Sequence, residues 1–162
     1  MVMLIISNFS PVFWVTLNTI LLLTPYIECN INANSGAFGS TNVKSMTLHW
    51  NQEDVSNIVD TFDVIVASDC TFFKEFHKDL AQIIKLLLKK MGPSEAIFFS
   101  PKRGDSLDKF LEEIAENNLH FSIKENYDAE VWRRHQMFTN EDNSWPSYNK
   151  DHSYPLLVRI TL

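Results

Sequence analysis

The sequence predicts an α/β fold built on a mainly parallel sheet, and three observations predict it. Phe62–Ala67 (F-D-V-I-V-A) and Glu95–Ser100 (E-A-I-F-F-S) are short apolar runs bounded by polar residues, as strands covered on both faces are. Each is followed by a segment whose apolar residues recur at helical spacing, Lys74–Met91 and Asp105–Asn117. The last two strand-like segments, His120–Lys124 and Tyr154–Leu162, have no long amphipathic helix between them, which makes them an antiparallel edge ribbon.

Composition bounds the function. The chain has 162 residues, 45% hydrophobic and 21% charged, which suits one globular domain with a real core. Its net charge of −6 offers no basic field for nucleic acid, and its aromatics are not interleaved with Lys or Arg. Two cysteines, Cys29 and Cys70, and five scattered histidines supply neither a disulfide framework nor a metal-ligand spacing. Both thiols are therefore read as reduced, and the chain as intracellular.

Taken in order, Met1–Thr24 is rich in Leu, Ile, Val and aromatics and carries no charge. Two readings stand. A membrane or secretory segment needs roughly 20 mainly apolar residues, but no basic stretch opens this one, and Asn8, Ser10, Pro11 and Asn18 interrupt it. Alternatively Thr19–Thr24 (T-I-L-L-L-T) is a further buried strand, with the residues before it packed as core or outside the fold. Cys29–Thr41, with Gly36 and Gly39, reads as a loop or the frayed end of a helix. The four glycines cannot supply G-x-G-x-x-G or a Walker loop. Lys44–Trp50 alternates as a short strand, and Asn51–Asp60 is acidic with Ile58 and Val59 placed to pack a short helix.

Phe62–Ala67 is the central strand, and Ser68-Asp69-Cys70-Thr71 follows at its carboxyl end. In open α/β sheets that is the edge where ligands bind. Lys74–Met91 then carries Phe76, Leu80, Ile83, Ile84, Leu87 and Leu88 on one helical face, and Pro93 stops it. Asp105–Asn117 carries Leu107, Phe110, Leu111 and Ile114, and Asn117-Asn118 suit a C-terminal cap. His120–Lys124 alternates as a strand, Ala129–Lys150 is irregular, polar and aromatic, and Tyr154–Leu162 closes the sheet.

Two short motifs and their order carry a resemblance. Asp69-Cys70-Thr71-Phe72 resembles the D-x-x-F/Y signature of the seven-β-strand lysine methyltransferases, and Leu48-His49-Trp50 resembles their L-x-W strand ending. With F-F-S-P-K-R-G-D-S-L-D-K-F, E-N-Y-D and H-S-Y-P-L-L-V-R-I-T-L at their distances, the set is similar to the calmodulin-directed lysine methyltransferases over residues 31–162. The resemblance implies a Rossmann-like seven-strand methyltransferase sheet with its N-terminal strands missing or replaced and an antiparallel C-terminal edge ribbon. Residues 1–28 are then a hydrophobic leader, and 29–162 the C-terminal part of the methyltransferase domain.

It implies S-adenosyl-L-methionine as cofactor and calmodulin as protein substrate. Trp50 and Ser68 fall at cofactor-lining positions, and Asp69 with Phe72 faces cofactor and substrate lysine. Because calmodulin is acidic and this chain is too, a local basic patch is expected from Lys102 and Arg103 and from Arg133 and Arg134. The family's cofactor grip also uses a glycine-rich turn after the first strand and an acid after the second, and neither is visible here. The expectation is a calmodulin-directed methyltransferase, monomeric and cytoplasmic or nuclear, whose shortened form does not turn over the cofactor. A non-catalytic binding module and a membrane-anchored variant through residues 1–24 are the rival expectations.

Overall fold

The computed structural model describes residues 2–7, 12–17, 24–48, 55–140 and 145–162. In chain order the elements are β1 (Val2–Ser7), β2 (Val12–Leu17), α1 (Thr24–Ala33), β3 (Asn42–Thr47), β4 (Val64–Ser68), α2 (His77–Leu87), β5 (Glu95–Ser100), α3 (Ser106–Glu116), β6 (His120–Lys124), α4 (Ala129–Thr139), α5 (Lys150–Ser153) and β7 (Leu156–Thr161). All seven strands join one sheet in the order β3-β2-β1-β4-β5-β7-β6, which puts β4 at its centre.

Strand direction decides what lies at each edge. β4 and β5 run parallel, as do β2 and β3, whereas β1 is antiparallel to both β2 and β4. β7 is antiparallel to β5 and to β6, so β6 is the outer strand of the expected edge ribbon. The carboxyl ends of β2, β3, β4, β5 and β6 therefore share one edge, together with the start of β1. The sheet is mixed rather than mainly parallel, because β7 runs against both its neighbours and so does β1. With β2 running in the sense of β4, β1 between them runs against both.

The strands of the leader are thus Val2–Ser7 and Val12–Leu17, and α1 begins at Thr24. Of the strand expected over Thr19–Thr24, residues 19–23 lie outside those described, and Thr24 opens α1. Among the described residues no helix is long and apolar enough to cross a membrane.

Downstream, apolar period and burial agree. On β4 Ile65 and Ala67 are buried, and on β5 Ala96 and Phe98. Against them α2 lays Leu80, Ile83, Ile84 and Leu87, and α3 lays Leu107, Phe110 and Ile114. Burying each such aliphatic side chain stabilises the fold by about 1.5–3 kcal/mol over leaving it exposed. The Phe98 and Phe110 rings meet at 5.3 Å, fixing α3 over β5.

Two boundaries differ from the sequence reading. α2 ends at Leu87 rather than Met91, because the next residues pair with the lead-in to β4. Phe62 bridges Leu88, Lys89 N–H donates to the Phe62 carbonyl (2.9 Å), and the Lys90 N–H donates to the Asp60 carboxylate (2.5 Å). Ala129–Lys150 is not irregular throughout but contains α4, capped by Asp128, whose carboxylate accepts the N–H groups of Glu130 and Val131 at 2.9 Å. By contrast α3 stops as expected. Asn118 takes the left-handed conformation (φ 57°), and Leu119 N–H reaches back to the Ile114 carbonyl.

Candidate active site at the carboxyl edge of the central strand

The site begins where β4 runs out. Asp69 N–H still donates to the Phe99 carbonyl at 3.0 Å, so the β4–β5 ladder holds to that residue. The backbone then turns sharply, with Asp69 at φ 56°, a left-handed conformation that is uncommon for a non-glycine residue. That turn leaves Asp69 half exposed and sends Cys70 and Thr71 inward. Cys70 donates to the Ser68 carbonyl at 3.4 Å, and burial pushes its thiol up to about 12, so it is no nucleophile at neutral pH. Phe72 and Phe73 emerge on the surface, their rings edge to face at 4.7 Å.

Two helices clamp this turn from below. The buried His77, opening α2, donates from Nε2 to the Thr71 carbonyl at 2.9 Å. The buried Ser106, opening α3, donates from Oγ to the same carbonyl at 2.5 Å and lies 3.3 Å from the Phe72 carbonyl. Lys74 pairs with Asp105, holding the latter's carboxyl below its usual range. The segment after β4 and the segment after β5 are therefore joined along their length, and Phe72 is aimed by groups that never reach the surface.

Arg103 lies across the mouth of this edge. Its Nη1 is 2.6 Å from Asp69 Oδ1 and its Nη2 3.1 Å from Oδ2, a bidentate pair. Its guanidinium carbon stands 5.0 Å from the Phe72 ring centroid, within cation–π range. Ser68, Asp69, Phe72 and Arg103 thus share one edge.

The other residues singled out from sequence fall elsewhere. Trp50 lies outside the described residues. β3, which leads toward it, ends at the same sheet edge as β4 with two strands between, about 14 Å away at the usual spacing. Lys102 faces a groove whose wall includes Asp108, Glu125, Asp151 and Tyr154. Arg133 and Arg134, on α4, both bind Glu130 at 2.8 Å, and their hydrogen bonds pull its carboxyl down to about 2. Sequence reading missed His77 and Ser106, which carry no surface signal, and the stack beneath α4. There His135 lies on Tyr154 at 3.9 Å and contacts the Tyr148 hydroxyl at 2.6 Å.

The resemblance to the lysine methyltransferases implies that a cofactor at this edge takes backbone donors from the turn after the strand beside β4. That strand is β1, and its direction puts Val2, not a strand-to-helix turn, next to Ser68. The residue that follows β2 in sequence is the uncharged Asn18, and the first charged residue of the chain is Glu28. Among the described residues, this edge presents an exposed carboxylate and an exposed aromatic ring, and the start of β1 beside them does not fit a grip on a nucleoside and its carboxylate tail.

Comparisons with known proteins bear on the family and the fold. A family model described as lysine methyltransferase matches residues 2–117. The chain is 62% identical over 136 residues to a calmodulin-lysine N-methyltransferase of Arabidopsis thaliana, an alignment covering 84% of this chain and 45% of that protein. The chain thus spans less than half the length of that curated relative. Among solved structures it resembles an S-adenosylmethionine-dependent methyltransferase from Mesorhizobium loti (TM-score 0.53, 11% identity, 83% of this chain and 76% of that one). It also resembles the YcgJ protein of Bacillus subtilis (TM-score 0.51, 12% identity, 90% of this chain and 81% of that one). At these identities the structures speak for the fold alone, and they bear out the expected Rossmann-like methyltransferase sheet. With its central D-x-x-F turn at the carboxyl edge of that sheet, the chain belongs to the lysine methyltransferase family.

Proposed function

We propose that the protein serves methyl transfer from S-adenosyl-L-methionine to a lysine of calmodulin, and that the β4 edge forms the lysine side of that site. The observation that carries the reading is the half-exposed carboxylate of Asp69 beside the half-exposed ring of Phe72, both fixed from beneath. When bound, the cofactor supplies an electrophilic methyl group on a sulfonium. The chain's own residues must present the amine. Free lysine, with a pKa of about 10.4, is mostly protonated near neutral pH, whereas attack needs a neutral nitrogen held in line. Asp69 accepts a hydrogen bond from the amine and orients it. The Phe72 face holds the methylated, still cationic product by an attraction of about 0.5–2 kcal/mol.

The same reading limits this chain. With β1 reversed beside β4, the leader completes the sheet without rebuilding the cofactor grip, and the chain as written is a substrate-side half-site. A monomer in the cytoplasm or nucleus belongs to the same proposal, and size-exclusion chromatography with fractionation of a tagged chain would test it. Calorimetric titration with calmodulin tests the substrate assignment. The wild-type chain binds, and Phe72→Ala combined with Asp69→Asn weakens binding by about 30-fold or more, as loss of one cation–π contact and one charged hydrogen bond requires. Unchanged affinity in that double variant would move the lysine site elsewhere.

A further inference from the structure

We infer that Arg103 is an internal stand-in for the substrate lysine, a latch that fills the amine position until the substrate displaces it. This rests on the reading above, because it takes Asp69 and Phe72 as the amine's partners, and it assigns Arg103 a role that a basic docking patch would not need.

The geometry is specific. Both carboxylate oxygens of Asp69 are engaged by the same guanidinium, at 2.6 and 3.1 Å. That guanidinium also covers the Phe72 ring at 5.0 Å. The two groups suited to gripping a cationic amine are thus already gripping a cation, and only 22% of the Arg103 side chain remains exposed. An incoming ammonium meets a neutralised carboxylate and a like charge, so it must exchange with Arg103 rather than add beside it.

The backbone on both sides supports a built contact rather than a chance surface pair. Asp69 (φ 56°) and Arg103 (φ 48°) are both non-glycine residues in the left-handed region, and Gly104 (φ 66°) follows in the same region. Such conformations persist only where the surroundings impose them, and they cluster at ligand clamps and switches. Here the surroundings are visible. Arg103 N–H donates to the Asp151 carbonyl at 2.8 Å, and Ser106 N–H to the Arg103 carbonyl at 3.3 Å. The backbone that aims Arg103 is therefore tied at two points, whereas release of its head needs only side-chain rotation. Asp69 and Phe72 remain about half exposed, so a substrate can reach them as the guanidinium leaves.

The test uses n-butylammonium, a mimic of the lysine side chain, titrated into the intact chain at neutral pH and followed by NMR at the Cys70 and Thr71 amides. Arg103→Met, which keeps an unbranched apolar arm and removes the guanidinium with its charge, should bind the probe at least about 5-fold more tightly than wild type, since the competing cation is gone. In the wild-type chain, saturating probe should release the Arg103 Nη–H groups from their protected, ion-paired state. Should the methionine variant fold poorly, Arg103→Gln and the wild-type Nη–H signals each read the same exchange. Equal or weaker binding in the neutral variants would overturn the latch, as would a probe that leaves the Arg103 Nη–H groups protected or that binds neither form. Calmodulin is absent from this titration. Failure of calmodulin to bind the chain would sink the substrate assignment above and leave the latch to be judged on the probe alone.

Discussion

Removing Ser106 and His77 together should damage the turn after β4 by more than their separate losses add up to. Both donate to the one carbonyl of Thr71, a residue 3% exposed, from opposite helices at 2.5 and 2.9 Å. A carbonyl has two lone pairs, so either donor alone keeps it satisfied. Ser106→Ala, or His77→Phe, which keeps a ring against Phe110, then removes one ordinary hydrogen bond and costs about 0.5–1.5 kcal/mol. In the double variant the carbonyl is buried with no donor, and that penalty of about 1–3 kcal/mol comes on top. The cycle should therefore show about 1–3 kcal/mol of coupling, against a spread of about 0.5 kcal/mol for independent sites. Urea denaturation of the four proteins measures it, and the Phe72 ring signals should broaden in the double variant alone. Additive losses within that spread would refute the clamp, and with it the claim that Phe72 is aimed from beneath.

Three further outcomes follow from the charges and thiols. Glu130 titrates at about 2, below its unfolded range, so it favours folded α4 fully above about pH 4.5. That help is lost as pH falls toward about 2, and a carboxyl NMR titration should show Arg133→Ala raising the Glu130 value. Burial lowers the His135 pKa, so the neutral ring favours the folded state above its unfolded value of about 6.5 and this contribution is lost as pH falls below it. His135→Phe should remove the loss of stability that sets in as pH falls through about 6.5, read in thermal melts. A thiol reagent at neutral pH should label the exposed Cys29 in the native chain and Cys70 only on unfolding, because the Cys70 thiol is buried and pushed up to about 12.

What could be read from sequence was whatever is periodic and local. β4, β5, α2 and α3 bury the residues that their apolar spacing marks, and the Asn117-Asn118 cap sits where it stops α3. The carboxyl-edge position of Asp69 and Phe72 followed from strand order, and their roles from a short motif. α4 escaped notice because its buried side is an uneven one of Trp132, His135 and Phe138. The Asp128 cap and the Glu130 pairs to Arg133 and Arg134 were the signals available. The strands Val2–Ser7 and Val12–Leu17 went unread because Leu21–Leu23 drew attention to Thr19–Thr24, although N-F-S-P at residues 8–11 separates two β-branched runs as a hairpin turn would. The Asp69–Arg103 pair joins residues 34 apart through side chains alone, and no local pattern encodes such a contact.

Calorimetry with S-adenosylhomocysteine tests most directly the proposal that the β4 edge is a lysine-side site without its cofactor grip. Each missing charged or bidentate contact costs about 1.5–3 kcal/mol, so two of them weaken a micromolar site by about 10²–10⁴-fold. The chain as written should therefore give no heat of binding at micromolar ligand, with any Kd weaker than about 0.1 mM. A micromolar Kd, or methylation of calmodulin by this chain alone, would show that the hairpin beside β4 rebuilds the grip and would contradict the account.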